Sequence, residues 1–193
     1  DDDPNASFAE IKYLLKMLSN KNISIFFIHG NRDFLIGESF AEETGCHILH
    51  DPHVINLYGK KALISHGDIF CTDDKEYQSF RKQTRDPTWK EFILSKSLSF
   101  REEFAKKARL KSSKYTKLKK NEIMDVNKDE ILKMYEKYKV EIIIHGHTHR
   151  PAIHNIYYKG KDYQRIVLGD WYEQGSILWC DETGFDLIQL DRK

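Results

Sequence analysis

The sequence has few cysteines and no long apolar run. Cys46, Cys71 and Cys180 stand far apart in 193 residues, without Cys-x-x-Cys spacing. Three scattered thiols leave no disulfide framework and point to a reducing compartment. No apolar stretch approaches the roughly 18–20 residues of a membrane-spanning helix, so the chain is not expected to cross a bilayer. No signal-peptide pattern, internal repeat or low-complexity linker is present. Net charge is almost absent: 31 Lys+Arg against 30 Asp+Glu leave +1. Taken alone, that balance argues against a polyanion partner. It conceals a segregation, because residues 101–120 hold nine basic side chains and two acidic ones.

What is present suits a globular chain. Hydrophobic residues make up 40% and aromatics 12%, enough to bury a core. The length fits one domain with a sizeable insertion. Ser7 and Glu10 form a capping-box pattern, and Phe8, Ile11, Leu15 and Leu18 follow at helical spacing, which predicts a helix over 7–19. Residues 23–28 and 140–144 read as buried apolar strands. A short helix is expected over 37–44, and a hairpin from 54–58 and 62–65 around 59–61. Residues 75–120 read as long charged helices broken at Pro87 and at 95–99. Asn127 and Glu130 cap a helix over 128–138. The tail alternates strands, 152–158, 164–168, 176–180 and 185–190, with turns at Gly160 and Gly184. The sum is an α/β core, a helical insertion and a terminal β-meander.

Three apolar strands run into the same dipeptide. Ile28 leads to His29-Gly30-Asn31-Arg32-Asp33, Ile64-Ser65 to His66-Gly67-Asp68, and Ile144 to His145-Gly146-His147-Thr148-His149. A fourth, Ile166-Val167-Leu168, leads to Gly169-Asp170-Trp171. In open α/β sheets, ligands bind beyond the carboxyl ends of strands, and glycine there allows a sharp turn and close approach. Imidazole nitrogens with amide or carboxylate oxygens suit Mn, Fe, Zn or Ni. A pair of such metals activates a shared water and clamps phosphoryl oxygens. Arg32 is placed to neutralise charge on a phosphate in the transition state. His149 is read as a support of its loop. His47, His50, His53 and His154 are read as ordinary polar residues, and Cys71 as packed and unreactive.

Asn31-Arg32-Asp33, His66-Gly67-Asp68 and Gly146-His147-Thr148-His149 resemble the motifs of the calcineurin-like metallophosphoesterases. The closer likeness is to a branch acting in bacterial lipid A biosynthesis. It runs through Asp1 to Asn5, His29 to Gly37, Cys71 to Asp74, Ile123 to Asn127, His145 to Pro151 and Val167 to Gly169. The resemblance implies an α/β (α+β) fold, a four-layer αββα sandwich of two mixed sheets with a helical lid. It implies an Mn2+-dependent enzyme with two metals that hydrolyses the pyrophosphate of UDP-2,3-diacylglucosamine to UMP and 2,3-diacylglucosamine 1-phosphate. It also implies a cytoplasmic protein, peripheral on the inner-membrane surface, with no nucleic-acid partner. Carried over, Asn31, His66 and His145 are ligands of one metal and His147 of the other. Asn31, Arg32, Asp74, Ser112, Thr116, Lys119 and His145 are substrate contacts, with Arg32 catalytic.

The family also has an Asp-x-His turn and a Gly-Asp turn upstream of the region matching Asp1. Neither is in this sequence, so residues 1–193 are expected to be one domain short of its first strands, with a lid over about 75–125. Weak and incomplete metal binding is expected of the chain as it stands. The lid admits three readings from its chemistry. Trp89, Phe92, Ile93, Leu94, Leu98, Phe100 and Phe104 give an apolar side, and Arg101, Lys106, Lys107, Arg109 and Lys111 begin a cationic one. It is a helical hairpin with a solvated face, a nucleic-acid surface, or a cap for an anionic amphiphilic lipid. The resemblance favours the lipid cap. The alternatives are another dinuclear phosphodiesterase or nuclease, or a catalytically dead binding module of the same fold.

Overall fold

The computed structural model describes residues 6–118, 125–172 and 174–191. The chain divides into two compact units, one of residues 1–50 and 75–121, the other of residues 51–74 and 122–193.

In the first unit, α1 (Ala6–Asn20) leads to β1 (Ile25–Ile28), α2 (Glu38–Thr44) and β2 (Cys46–Leu49). β1 and β2 pair in parallel, Ile25 opposite Cys46 and Ile28 opposite Leu49. Among the described residues α1 already includes Ala6, so Ser7 of the expected capping box lies within the helix. α2 stops at Gly45, which adopts φ +75, and a Cβ there would lie 2.1 Å from Ser19 Oγ of α1. The close seat of α1 on α2 therefore needs glycine, and Lys12 Nζ meets Glu43 Oε2 across the same contact at 2.7 Å. β2 has no counterpart among the sequence expectations. Its four residues include the exposed His47, whose ring lies 5.4 Å from Phe26 on the neighbouring strand. Phe8, Ile11, Leu14, Leu18 and, on β1, Phe26 are exposed.

The charged stretch forms three helices in this unit: α3 (Lys75–Arg85), α4 (Pro87–Leu94) and α5 (Leu98–Leu118). The breaks fall where the sequence places them. Asp86 caps α4 by accepting from Trp89 N at 3.1 Å, and Pro87 takes the first helical position, where its missing N–H costs nothing. Ser97 Oγ accepts from Phe100 N at the start of α5. These helices close on the loop after β1. Arg85 Nη2 donates to Gly30 O at 2.7 Å, its guanidinium lies 4.8 Å from the Phe34 ring, and Trp89 sits between Phe34 and Phe104.

The second unit is built on a five-stranded mixed sheet of β3 (His53–Leu57), β4 (Lys60–Ser65), β5 (Ile142–His145), β6 (Ala152–Tyr158) and β7 (Lys161–Val167), in the order β3-β4-β5-β7-β6. β4, β5 and β7 run parallel, and β3 and β6 are antiparallel edges. α6 (Lys128–Tyr138) covers one face. Its Ile131 and Tyr135 pack with Leu63, Phe70, Val140 and Ile143. The hairpin β8 (Gln174–Asp181) and β9 (Gly184–Asp191) covers the other, where Leu178 and Phe185 meet Ala62, Ile142, Ile144 and Ile166. β5 is buried on both faces, which is why it reads as an unbroken isoleucine run. The α/β class matches the expectation. Among the described residues the strands form one mixed sheet and two two-stranded sheets, because β8 and β9 pair only with each other and lie on the larger sheet as a separate layer.

Tyr135 is 1% exposed, stacks 4.5 Å from Tyr163, and its hydroxyl has no hydrogen-bond partner among the described residues. An unpaired buried hydroxyl forfeits its hydration without return. Tyr135→Phe is expected to stabilise the protein by about 1 kcal/mol, read as a raised urea midpoint at unchanged slope.

Candidate active site

β4 and β5 are adjacent and parallel, with Ser65 opposite His145, so their carboxyl ends deliver two His-Gly turns to one place. The turns are bonded directly: Gly146 N donates to His66 O at 3.0 Å. Gly67 sits at φ +108, and a Cβ there would stand 2.8 Å from His145 Nδ1 and 3.0 Å from Gly146 O. Both the backbone angle and the contact require glycine. Asp51 braces the first turn. Its Oδ1 accepts from Ser65 Oγ at 2.6 Å and from His66 N at 3.3 Å, and Ser65 Oγ accepts from Gly67 N. β7 closes the group, with Val167 opposite His145 and Leu168 N donating to His145 O at 2.8 Å.

The ring nitrogens of His66 and His147 converge. His66 Nε2 lies 3.2 Å from His147 Nδ1, with the rings inclined at 70°. His147 reaches this position from a left-handed backbone, φ +65. Two imidazole nitrogens each about 2.0–2.1 Å from one first-row ion lie roughly 3.0–3.4 Å apart, so the pair fits two ligands of a single cation. Among the described residues no group of three or more His, Cys, Asp or Glu is gathered for a metal.

His145 is engaged differently. It is 1% exposed, with Phe70 edge-on at 5.6 Å. Arg165 Nη1 lies 3.1 Å from Nε2, and Nδ1 lies 2.9 Å from Gly146 O. A guanidinium only donates, so Nε2 accepts and Nδ1 carries the proton that it donates to Gly146. Ligation by His145 therefore requires the ring to release one of these two bonds. Burial above all pushes its pKa down to about 4; Arg165 and His147 act in the same direction, against the Gly146 carbonyl and Asp125.

The other expected residues are distributed as follows. Asn31, half-buried, and Arg32, exposed, lie in the loop after β1 in the first unit. In that loop Gly30 N donates to Asp33 Oδ1, and His29 Nε2 lies 2.7 Å from Ile36 O, so His29 ties the loop together. Asp74 is buried just before α3. Ser112 is exposed on α5, Thr116 belongs to the same helix, and Lys119 lies outside the described residues. The second unit thus brings His66, His145 and His147 together, and Asn31, Arg32, Ser112 and Thr116 belong to the first. His149 Nδ1 pairs with Asp170 Oδ2 at 3.3 Å, a loop-supporting contact. Cys71 is buried, and its thiol is pushed up to about 12 by burial and four nearby aspartates, so it stays protonated and inert.

Two residues were missed. Arg165 fills an inward position of β7 in an alternating polar stretch, where nothing in sequence marks its reach to His145. Asp51 lies before a strand, and only the turn of the chain brings it to Ser65.

A calcineurin-like phosphoesterase model matches residues 3–151. The chain belongs to that family, and membership implies hydrolysis of phosphoesters with divalent metal ions. UDP-2,3-diacylglucosamine hydrolase of Stenotrophomonas maltophilia strain K279a is 44% identical over all of this chain and 81% of its own length. The protein of that name from Xanthomonas axonopodis pv. citri is 44% identical over 98% of this chain and 80% of its own. A solved archaeal phosphodiesterase superposes with a TM-score of 0.44 at 15% identity, over 92% of this chain and 76% of that one.

A histidine held neutral in the fold at about pKa 4 takes a proton near 6.5 once unfolded, so its contribution to stability is complete above pH 6.5 and lost as the pH falls towards 4. Each unit of that gap corresponds to about 1.4 kcal/mol, a loss of roughly 3 kcal/mol by pH 4. In metal-free protein, the His145 ring resonances are expected to stay unshifted from pH 8 to pH 5, while unfolding free energy falls across pH 6.5 to 4.

Proposed function

We propose that the protein hydrolyses the pyrophosphate of UDP-2,3-diacylglucosamine, releasing UMP and 2,3-diacylglucosamine 1-phosphate. The observation carrying this reading is the pair of bonded His-Gly turns with His66 and His147 facing across 3.2 Å, in a chain 44% identical to hydrolases of that name. The preferred metal is Mn2+. His66 and His147, which the resemblance assigns to two different ions, would share one ion on this reading. Such an ion supplies a water acidified for attack and a Lewis acid for the phosphoryl oxygens.

The chain's own groups have the following parts. Arg32 neutralises charge on the attacked phosphate. Arg165 and the Gly146 carbonyl hold the His145 ring in one tautomer until it is needed as a ligand, and Gly67 keeps space for it. Asp74, Ser112, Thr116 and Lys119 contact the substrate. The apolar and basic composition of α4 and α5 supports a surface for acyl chains and an anionic headgroup: Phe92, Leu94, Phe100 and Leu110 are exposed there among lysines. The same composition supports residence at the cytoplasmic face of the inner membrane.

The reading is tested by UMP release from the lipid substrate with Mn2+, in the protein as encoded. Release is expected to stop with chelator and to fall about 100-fold or more in His66→Ala and His147→Ala. Release no higher than in the chelated control, or full activity in both variants, would sink it.

A further inference from the structure

A cleft of about 230 Å³ opens in the second unit beside the paired histidines, lined by Asp125, Thr148, Arg150, Pro151, Arg165 and Val167 among others. We infer that it holds the nucleoside-monophosphate half of the substrate and of the released product, an inference that rests on the proposed function.

The position follows from the strands. Thr148 succeeds His147 in the chain, and Arg165 touches His145, so residues that line the cleft adjoin the candidate site. Arg165 stands opposite His154 on β6, and Val167 opposite Ala152, which places all four on the same side of the sheet. That side is apolar where α6 covers it and polar beyond.

The lining matches a nucleotide more closely than a bare anion or a lipid. Two guanidiniums in one cleft suit a phosphate, which they bind through several charge-assisted bonds. Asp125 Oδ2 takes one donor of Arg150 at 2.6 Å. A carboxylate in a phosphate pocket repels the anion, but it accepts well from a ribose hydroxyl or a pyrimidine N–H. Arg165 uses one of its five donors, on His145, among the described residues. Pro151, Ala152 and Val167 supply an apolar wall, and a guanidinium plane can stack on a base. The space is too small for a sugar carrying two acyl chains, and its open side lets a nucleotide lie with one face in water.

The test is titration of UMP into chelator-treated, isotope-labelled protein, followed by amide NMR, so that binding is read without activity and without metal. Saturable shifts are expected at Thr148, Arg150 and Val167. Arg150→Ala, whose side chain is on the surface, is expected to raise the UMP dissociation constant about tenfold. Arg165→Lys is expected to weaken it similarly, and inorganic phosphate to bind at least tenfold more weakly than UMP. Shifts confined to other residues, or an unchanged constant in a folded Arg150→Ala, would overturn the inference. Equal binding of phosphate and UMP would overturn its nucleoside part. If UMP binds here while the lipid substrate is not cleaved, the proposed function falls and the cleft stands. If cleavage proceeds while Arg150→Ala leaves UMP affinity untouched, the cleft falls alone.

Discussion

The parallel register of β4 and β5 puts Ser65 opposite His145, and the arrangement of the candidate site follows from it. Parallel neighbours present their carboxyl ends on one edge, so two turns far apart in sequence are forced together there. A shift of one residue would move His145 to the opposite face and replace it with Ile144, because side chains alternate along a strand. The shift is resisted by burial. Ile142 and Ile144 point into the layer beneath the β8–β9 hairpin, and Leu63 and Ile143 into the layer beneath α6. Each is worth about 1.5–3 kcal/mol when fully buried. The apolar strand thus acts as a rule that measures where the histidines fall.

The same register explains why a charged residue is tolerated inside. Arg165 lies beside Ile143 on β7, on the side that α6 covers, and burial lowers its pKa while Asp125 and Tyr135 act against that. A half-buried guanidinium needs acceptors. It has the neutral His145 imidazole, and Asp125 stands close enough to offset its charge without pairing directly. His145 in turn cannot take a proton without meeting Arg165 head-on. The two hold each other's protonation states: an arginine that never deprotonates selects a neutral, fixed tautomer of the histidine behind the paired imidazoles. This is a metal-free arrangement with a defined route to another, since loss of either ring contact exposes a nitrogen.

How much of this could be read from sequence follows the physics. The helix over 128–138, its Asn127 cap and the breaks at Pro87 and Ser97 are local decisions, made within a few residues, and the structure has them. So are the three His-Gly turns, because glycine after an apolar run is a statement about backbone angle and close approach. β2 is different: Cys46-His47-Ile48-Leu49 has no alternation and is a strand only because β1 lies beside it. The facing of His66 and His147 was not legible either. Sequence shows that both follow strands, but which nitrogen turns to which depends on the +65° φ of His147 and on the Gly146–His66 bond. Asn31 and Arg32 are expected from pattern alone, and their loop owes its shape to groups distant in the chain, with Arg85 reaching Gly30 from α3.

The near-zero net charge misleads for a related reason. A total describes the field at a distance, while a substrate meets local groups. On the proposed function the ligand is itself divided, with a pyrophosphate and a nucleoside at one end and acyl chains at the other. The residues to match it are divided too. The polar groups at the strand ends of the second unit are buried or half-buried and fixed by hydrogen bonds, as reaction at phosphorus requires. On α4 and α5, Phe92, Leu94, Phe100 and Leu110 are exposed among lysines. Fluid acyl chains need area and not direction. A fixed site and an adaptable surface call for opposite compositions, and averaging them yields a chain of ordinary hydropathy and almost no charge.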